Sequence, residues 1–182
     1  MQHNGLSIYQ QAMGAAFDRL DPAVQAFHRL AGSHELQGWA ETAAPLTWPA
    51  RMLGRLLGTP MEDSTGAIRF VLHAGPDGET WTRHYTHRKM TSQLRLRDGH
   101  VVEALGPTRL HFALHERDGA LVMALLQVRV FGIRCPRWLM PDVIAKESGR
   151  DNELNFHVRA DVRGLGRIAH YKGHLVLPKA YA

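Results

Sequence analysis

Three Asp-Gly pairs, Asp77-Gly78, Asp98-Gly99 and Asp118-Gly119, punctuate short runs of alternating apolar and polar residues from about Thr65 onward. Asp-Gly supplies the left-handed backbone that a two-residue hairpin turn needs, and pairs recurring every ~20 residues leave no length for crossover helices between strands. The pattern predicts a sequential antiparallel meander and argues against repeated βαβ units.

The runs also assign faces. Ile68, Phe70 and Leu72 alternate with Arg69, Val71 and His73, while Met90, Ser92, Leu94 and Leu96 alternate with Thr91, Gln93, Arg95 and Arg97. Leu110, Phe112 and Leu114 oppose Arg109, His111 and His115; Leu154, Phe156, Val158 and Ala160 oppose Asn155, His157, Arg159 and Asp161. Because side chains on a strand alternate sides, each run has one oily and one wet face, as in a sheet curled around a single interior. Leu121 to Phe131 breaks the rule, being apolar on both phases until Gln127 and Arg129, which predicts a helix covering its outer face.

The first third reads differently. Residues from about Leu6 to Leu30 have helical periodicity, interrupted at Asp21-Pro22, where Asp suits a helix cap and Pro a first helical position. A first strand around Glu35 to Thr42 follows. Within PLTWPARMLGRLLGTP, Trp48, Met52, Leu53, Leu56 and Leu57 fall on one stripe beside Arg51 and Arg55, predicting a short amphipathic helix between strands. A second interruption is expected at Arg134 to Ile144, where Trp138, Leu139 and Met140 lie between Pro136 and Pro141. Either insert suits a lid, a partner contact or simple core cover.

At 182 residues the chain is expected to form one domain over 1–182, with a helical segment at 1–32 and a barrel-like body at 33–177. A net charge of +5 admits acidic partners, but the basic residues alternate along strands and lack an aromatic-basic stacking motif, so no nucleic acid is expected. The N-terminus MQHNGLSIYQ has no basic-then-apolar leader pattern and no run reaches the ~18 apolar residues of a spanning helix; a cytoplasmic protein without a transmembrane segment is expected. The lone Cys135 excludes an internal disulfide framework and suits a reducing compartment.

Polar residues in phase with apolar ones mark the candidate site. Arg83 lies between Trp81 and Tyr85, and Glu103 between Val101 and Leu105, so both point inward if those strands face the core. An unpaired buried charge costs several kcal/mol, so the two either pair with each other or Arg83 meets a ligand carboxylate or phosphate. Trp81 and Tyr85 would then pack the ligand's apolar body, with Phe70, Phe112, Phe156 and the hydroxyl tip of Tyr171 completing the lining.

No metal or cofactor is expected despite 12 histidines. His111 with His115, or His170 with His174, would be ~13 Å apart on a strand and could not share one ion; only a cross-strand pair such as His73 with His84 could begin a site. Cys135 sits among Arg134, Pro136 and Arg137, where positive charge would favour the thiolate, but no partnering base is visible and no catalytic residue is nominated. No G-x-G-x-x-G follows a strand, since Gly164 and Gly166 sit in a hairpin.

The order of landmarks supports a resemblance. RMLGRLLGTP, GETWTRHYTHRKMTSQL, HVVEALGPTRLHFAL, then IRCPRWLMP and two long strands ending in HYKGHL, together resemble the bacterial family called domain of unknown function 4166, from about Pro22 to Leu177. In that family the domain often follows a saccharopine-dehydrogenase-like reductase domain, which implies a small-molecule setting and supplies no catalytic residues.

The expected fold is thus mainly β, an antiparallel β-barrel or strongly curved meander, calycin-like in outline, with N-terminal helices packed outside or across one end and short helical inserts. A helix-grip α+β fold is the alternative; it needs a long C-terminal helix, whereas GRIAHYKGHLVLPKAYA reads as strand. The leading functional expectation is non-catalytic binding of a small hydrophobic or amphiphilic molecule. The alternative is an interaction module that docks a reductase domain or a second copy of itself.

Overall fold

The structure is a computed structural model and describes residues 5–178. Its body is a closed antiparallel barrel of ten strands. They run β1 (Gly32–Thr42), β2 (Ser64–Gly75), β3 (Gly78–His84), β4 (Lys89–Arg97), β5 (His100–Leu105), β6 (Thr108–Arg117), β7 (Ala120–Val130), β9 (Asp142–Arg150), β10 (Glu153–Val162) and β11 (Gly166–Val176). A two-residue strand, β8 (Ile133–Arg134), pairs with the end of β7 on the edge that faces β9. Each barrel strand pairs with its neighbour in sequence, and β1 closes on β11 from Gln37 opposite Val176 to Thr42 opposite Tyr171. The seam between β7 and β9 is short, pairing Leu121 with Glu147 and Val122 with Lys146, and β8 takes up the far end of β7.

In an up-and-down ring successive hairpins fall at opposite ends. The Asp98-Gly99 and Asp118-Gly119 turns hold both residues at positive φ, 50° and 75° in one and 52° and 80° in the other, the conformation that lets a two-residue turn match strand twist. These turns, with the β2–β3 and β9–β10 turns, share the end that the N-terminal helices close.

Those helices are α1 (Ile8–Met13), a 3-10 turn at Gly14–Arg19, and α2 (Pro22–His28). Ser7 and Gln10 cap α1 reciprocally, each side chain bonding the other's backbone N–H. Pro22 opens α2 as expected, but the Asp21 side chain does not cap it. Instead Asp21 Oδ2 accepts from the Gly149 N–H at 2.8 Å, and the Asp21 N–H donates to Gly119 O at 2.7 Å, stapling the helix to two barrel turns. A β-carbon on Gly149 would lie 2.8 Å from Asp21 Cβ, so this approach requires glycine. Ile8, Tyr9, Phe17, Val24 and Phe27 drop into the barrel and merge with Leu36, Phe70, Leu72, Trp81 and Leu154 in one core. Burying a side chain of this size contributes about 1.5–3 kcal/mol, so the plug is an integral part of the fold.

The opposite end carries the longer links. α3 (Trp48–Leu57) lies across it, between β1 and β2. Thr47 caps α3 by accepting from Ala50 N and donates to Leu165 O at 2.6 Å, while Thr59 donates to Ile168 O at 3.2 Å, so both helix ends are tied to the β10–β11 hairpin. Arg88, in the β3–β4 loop, donates to the Gly58 and Arg55 carbonyls at 3.4 Å. The second predicted insert is a short excursion between β7 and β9 with one 3-10 turn at Arg137–Leu139.

The double-phase apolar run on β7 contains a bulge. The pairing slips so that Phe112 faces Leu125 while His111 faces Gln127, leaving Leu126 as a bulge that is itself exposed. Inward residues are therefore Leu121, Met123 and Leu125 before the bulge and Val128 after it. The helix-grip alternative is not realised, because β11 remains a strand to Val176 and closes the ring; the last residues of the predicted terminal strand, 179–182, lie outside the described residues.

Candidate functional site

The barrel interior is not filled by its own side chains. A cavity of about 800 Å³ runs from Phe27 and Trp81 beside the plug to Met52, Leu56 and Leu139 at the opposite end. Those last three are exposed, so the cavity communicates with solvent beside α3. Of the predicted residues, Phe70, Trp81, Arg83, Glu103, Phe112, Phe156 and Tyr171 all line it. Tyr85 does not; it packs on Tyr171 with ring centroids 6.0 Å apart. Trp81 also belongs to the plug's aromatic cluster, meeting Phe27 and Phe70 edge-on and lying parallel to Tyr9.

Arg83 is the buried cation of this interior. Its guanidinium lies 5.0 Å from the Trp81 ring centre and 5.7 Å from that of Phe70, a cation–π arrangement. Nη1 donates to Ser92 Oγ at 3.1 Å, and Nη2 lies 3.9 Å from Glu103 Oε1, an ion pair longer than a hydrogen bond. Arg83 and Glu103 thus stand within ion-pair distance of each other, and both border open space. Burial alone would lower the Arg83 pKa, but Tyr171, Glu103, Tyr85 and Tyr9 around it raise it on balance, so the side chain remains a fixed cation.

Several polar groups escaped the sequence reading. Glu147 lines the cavity and holds His28 of α2, with Nε2 to Oε2 at 2.6 Å. Tyr9 stacks on that imidazole at 3.7 Å. Glu79 accepts from Trp81 Nε1 at 2.7 Å, and burial raises its carboxyl pKa against the opposing charge of His28. Thr108 lines the cavity with its hydroxyl unpartnered, as are the buried hydroxyls of Tyr9 and Tyr85 and Nδ1 of His28. Burial pushes the Tyr171 phenol up to about 12, so it is a neutral donor at any ordinary pH. Glu147 and Thr108 stand in phase with Ala145 and Leu110, a signal masked because β9 reads apolar on both phases at Val143 and Ile144.

Two expectations are corrected. Cys135, at the cavity's outer margin, has its thiol pKa raised by burial, and the predicted lowering by neighbouring arginines is absent. His73 and His84 are not cross-strand partners: His73 faces Thr80 and bonds Ser33, whereas His84 faces Arg69. Among the described residues no three His, Cys, Asp or Glu side chains gather in a metal-binding arrangement, and no helix is long and apolar enough to cross a membrane.

Comparison with known proteins gives the family. Residues 20–175 match the model described as Domain of unknown function (DUF4166), and the chain belongs to that family. No curated protein matches. Among solved structures, Rv2717c from M. tuberculosis is similar with a TM-score of 0.46 and 14% identity, covering 88% of this chain and 99% of that one.

Proposed function

We propose that this protein binds one small hydrophobic or amphiphilic molecule inside its barrel, without catalysing a reaction on it. The observation that carries this reading is the cavity of about 800 Å³, whose walls are almost wholly apolar apart from a few inward polar groups. Ligand pockets are commonly ~300–1,000 Å³, apolar, and furnished with a few polar groups that fix orientation, and this interior has those properties. Phe70, Phe112, Phe156 and Trp81 would hold the apolar body, while Arg83, Glu103 and Tyr171 would meet its polar part. A cytoplasmic setting accords with the free thiol of Cys135.

Native mass spectrometry of freshly purified protein tests the proposal together with titration by Nile red, a neutral apolar dye. A retained small molecule, or saturable one-to-one dye binding with a blue shift, is expected; an empty protein that leaves the dye unshifted would overturn it.

A second reading has its own observation. Trp48, Phe131, Ile133 and Trp138 are all exposed around the cavity's open end, an apolar rim suited to a second copy of this chain or a reductase domain. Light scattering across a concentration series checks the first of these: a dimer lost on replacing Trp48 and Trp138 with Ser favours docking, and a monomer throughout counts against self-association.

A further inference from the structure

We propose that the molecule held in the barrel presents a neutral hydroxyl or amide group to the Arg83–Glu103 pair, and that carboxylate and phosphate headgroups are rejected. This rests on the cavity reading above and sharpens it.

Arg83 has five N–H donors, and among the described residues its one hydrogen bond runs from Nη1 to Ser92. Its Nη2 and Glu103 Oε1 stand 3.9 Å apart, too far to bond directly. An oxygen about 2.8–2.9 Å from both fits that separation. A hydroxyl placed there accepts from Arg83 and donates to Glu103; a primary amide does the same with its two ends. An anion satisfies Arg83 but brings a second negative charge against Glu103 and supplies it no proton. Glu147, the other acidic group on the lining, is already held by His28 and gives an anion nothing to bind. Arg55, the remaining cation on the lining, belongs to the exposed face of α3.

A second, independent feature points the same way. Thr108 is 3% exposed, borders the same cavity and has an unpartnered hydroxyl. It lies at the start of β6, opposite Leu105, two residues along β5 from Glu103. The Tyr171 hydroxyl, on the cavity lining, adds a further neutral donor. The lining therefore offers the neutral Tyr171 phenol beside one charge-balanced pair and, among the described residues, no interior cation free of an acidic neighbour.

Displacement of Nile red by ligands of one chain length and different heads tests this: 1-dodecanol, dodecanamide, 1-methoxydodecane, dodecanoate and dodecyl phosphate, each below its solubility limit or micelle concentration. The alcohol and the amide are expected to displace the dye at about tenfold lower concentration than the ether, which cannot donate to Glu103, since hydrogen bonds to charged groups are worth this much. They should outdo both anions by at least as much. Glu103→Gln should narrow the gap between alcohol and dodecanoate, and Glu103→Met, which removes the acceptor, should bring alcohol and ether together. Dodecanoate or the phosphate binding best, or alcohol and ether binding equally, overturns the headgroup assignment and leaves the cavity reading standing. If the dye does not bind at all, both fall together.

Discussion

At the plugged end of the barrel Tyr9, Phe27 and His28 are at most 2% exposed, whereas at the open end Trp48, Phe131 and Trp138 are at least 73% exposed. The same chain thus buries aromatic residues completely at one end and leaves them in water at the other. The plugged end also spends its polar groups on anchoring: Asp21 bonds two turns, and His28 meets Glu147 inside. At the mouth, hydrogen bonds fix the ends of α3 but leave Met52 and Leu56 uncovered. One end is sealed and holds the fold, and the other carries apolar surface outward beside the cavity's opening.

Substitutions at the two ends should separate these roles. Phe27→Ala removes a fully buried ring from the plug and should cost about 3–5 kcal/mol, read from the midpoint of urea denaturation. A loss below 1 kcal/mol would mean the plug is not integral. Asp21→Ala leaves the Gly149 N–H without its acceptor and should cost about 1–2 kcal/mol by the same measurement.

The third test uses pH. Burial raises the Glu79 pKa, so the folded protein binds this proton more tightly than the unfolded chain does. Its contribution to stability is full at pH below the ordinary glutamate range and declines as pH rises from there through the raised folded value. Glu79→Gln keeps an acceptor for Trp81 and cannot ionise. The variant should therefore gain on wild type as pH rises through that window, in denaturation series from pH 4 to 8; parallel profiles would contradict it. The smallest effect belongs to the mouth: Trp48→Ser with Trp138→Ser should change stability by no more than about 0.5 kcal/mol, because neither ring is buried. A large loss would erase the contrast between the ends.

The sequence made the barrel legible because its turn residues and alternation are local signals. Asp98-Gly99 and Asp118-Gly119 name their own turn geometry, and Phe70, Phe112 and Phe156 keep phase with their neighbours. Legibility failed where the structure depends on distant partners. The bulge at Leu126 exists only through its pairing with β6, so its two-phase pattern suggested a covering helix. Asp21 looked like a cap because Gly149 and Gly119 are far away in sequence. Arg83 and Glu103 were findable, being charges in an apolar phase. Glu147 and Thr108 were not, since β9 has no clean alternation and Thr108 stands beside a turn. Empty space, above all, is written in no residue: whether inward side chains meet or leave a gap depends on strand number and closure.

A ligand seated in this gap, rather than on the exposed rim around it, should be sensitive to the gap's volume. Leu110→Trp, on the cavity wall in β6, fills interior volume and leaves Trp48, Phe131 and Trp138 untouched. Nile red titration of this variant against wild type, with thermal melts confirming that both are folded, separates the two locations. Dye affinity is expected to fall by about tenfold or more while the fold persists; undiminished binding to a folded Leu110→Trp protein would put the dye on the rim instead.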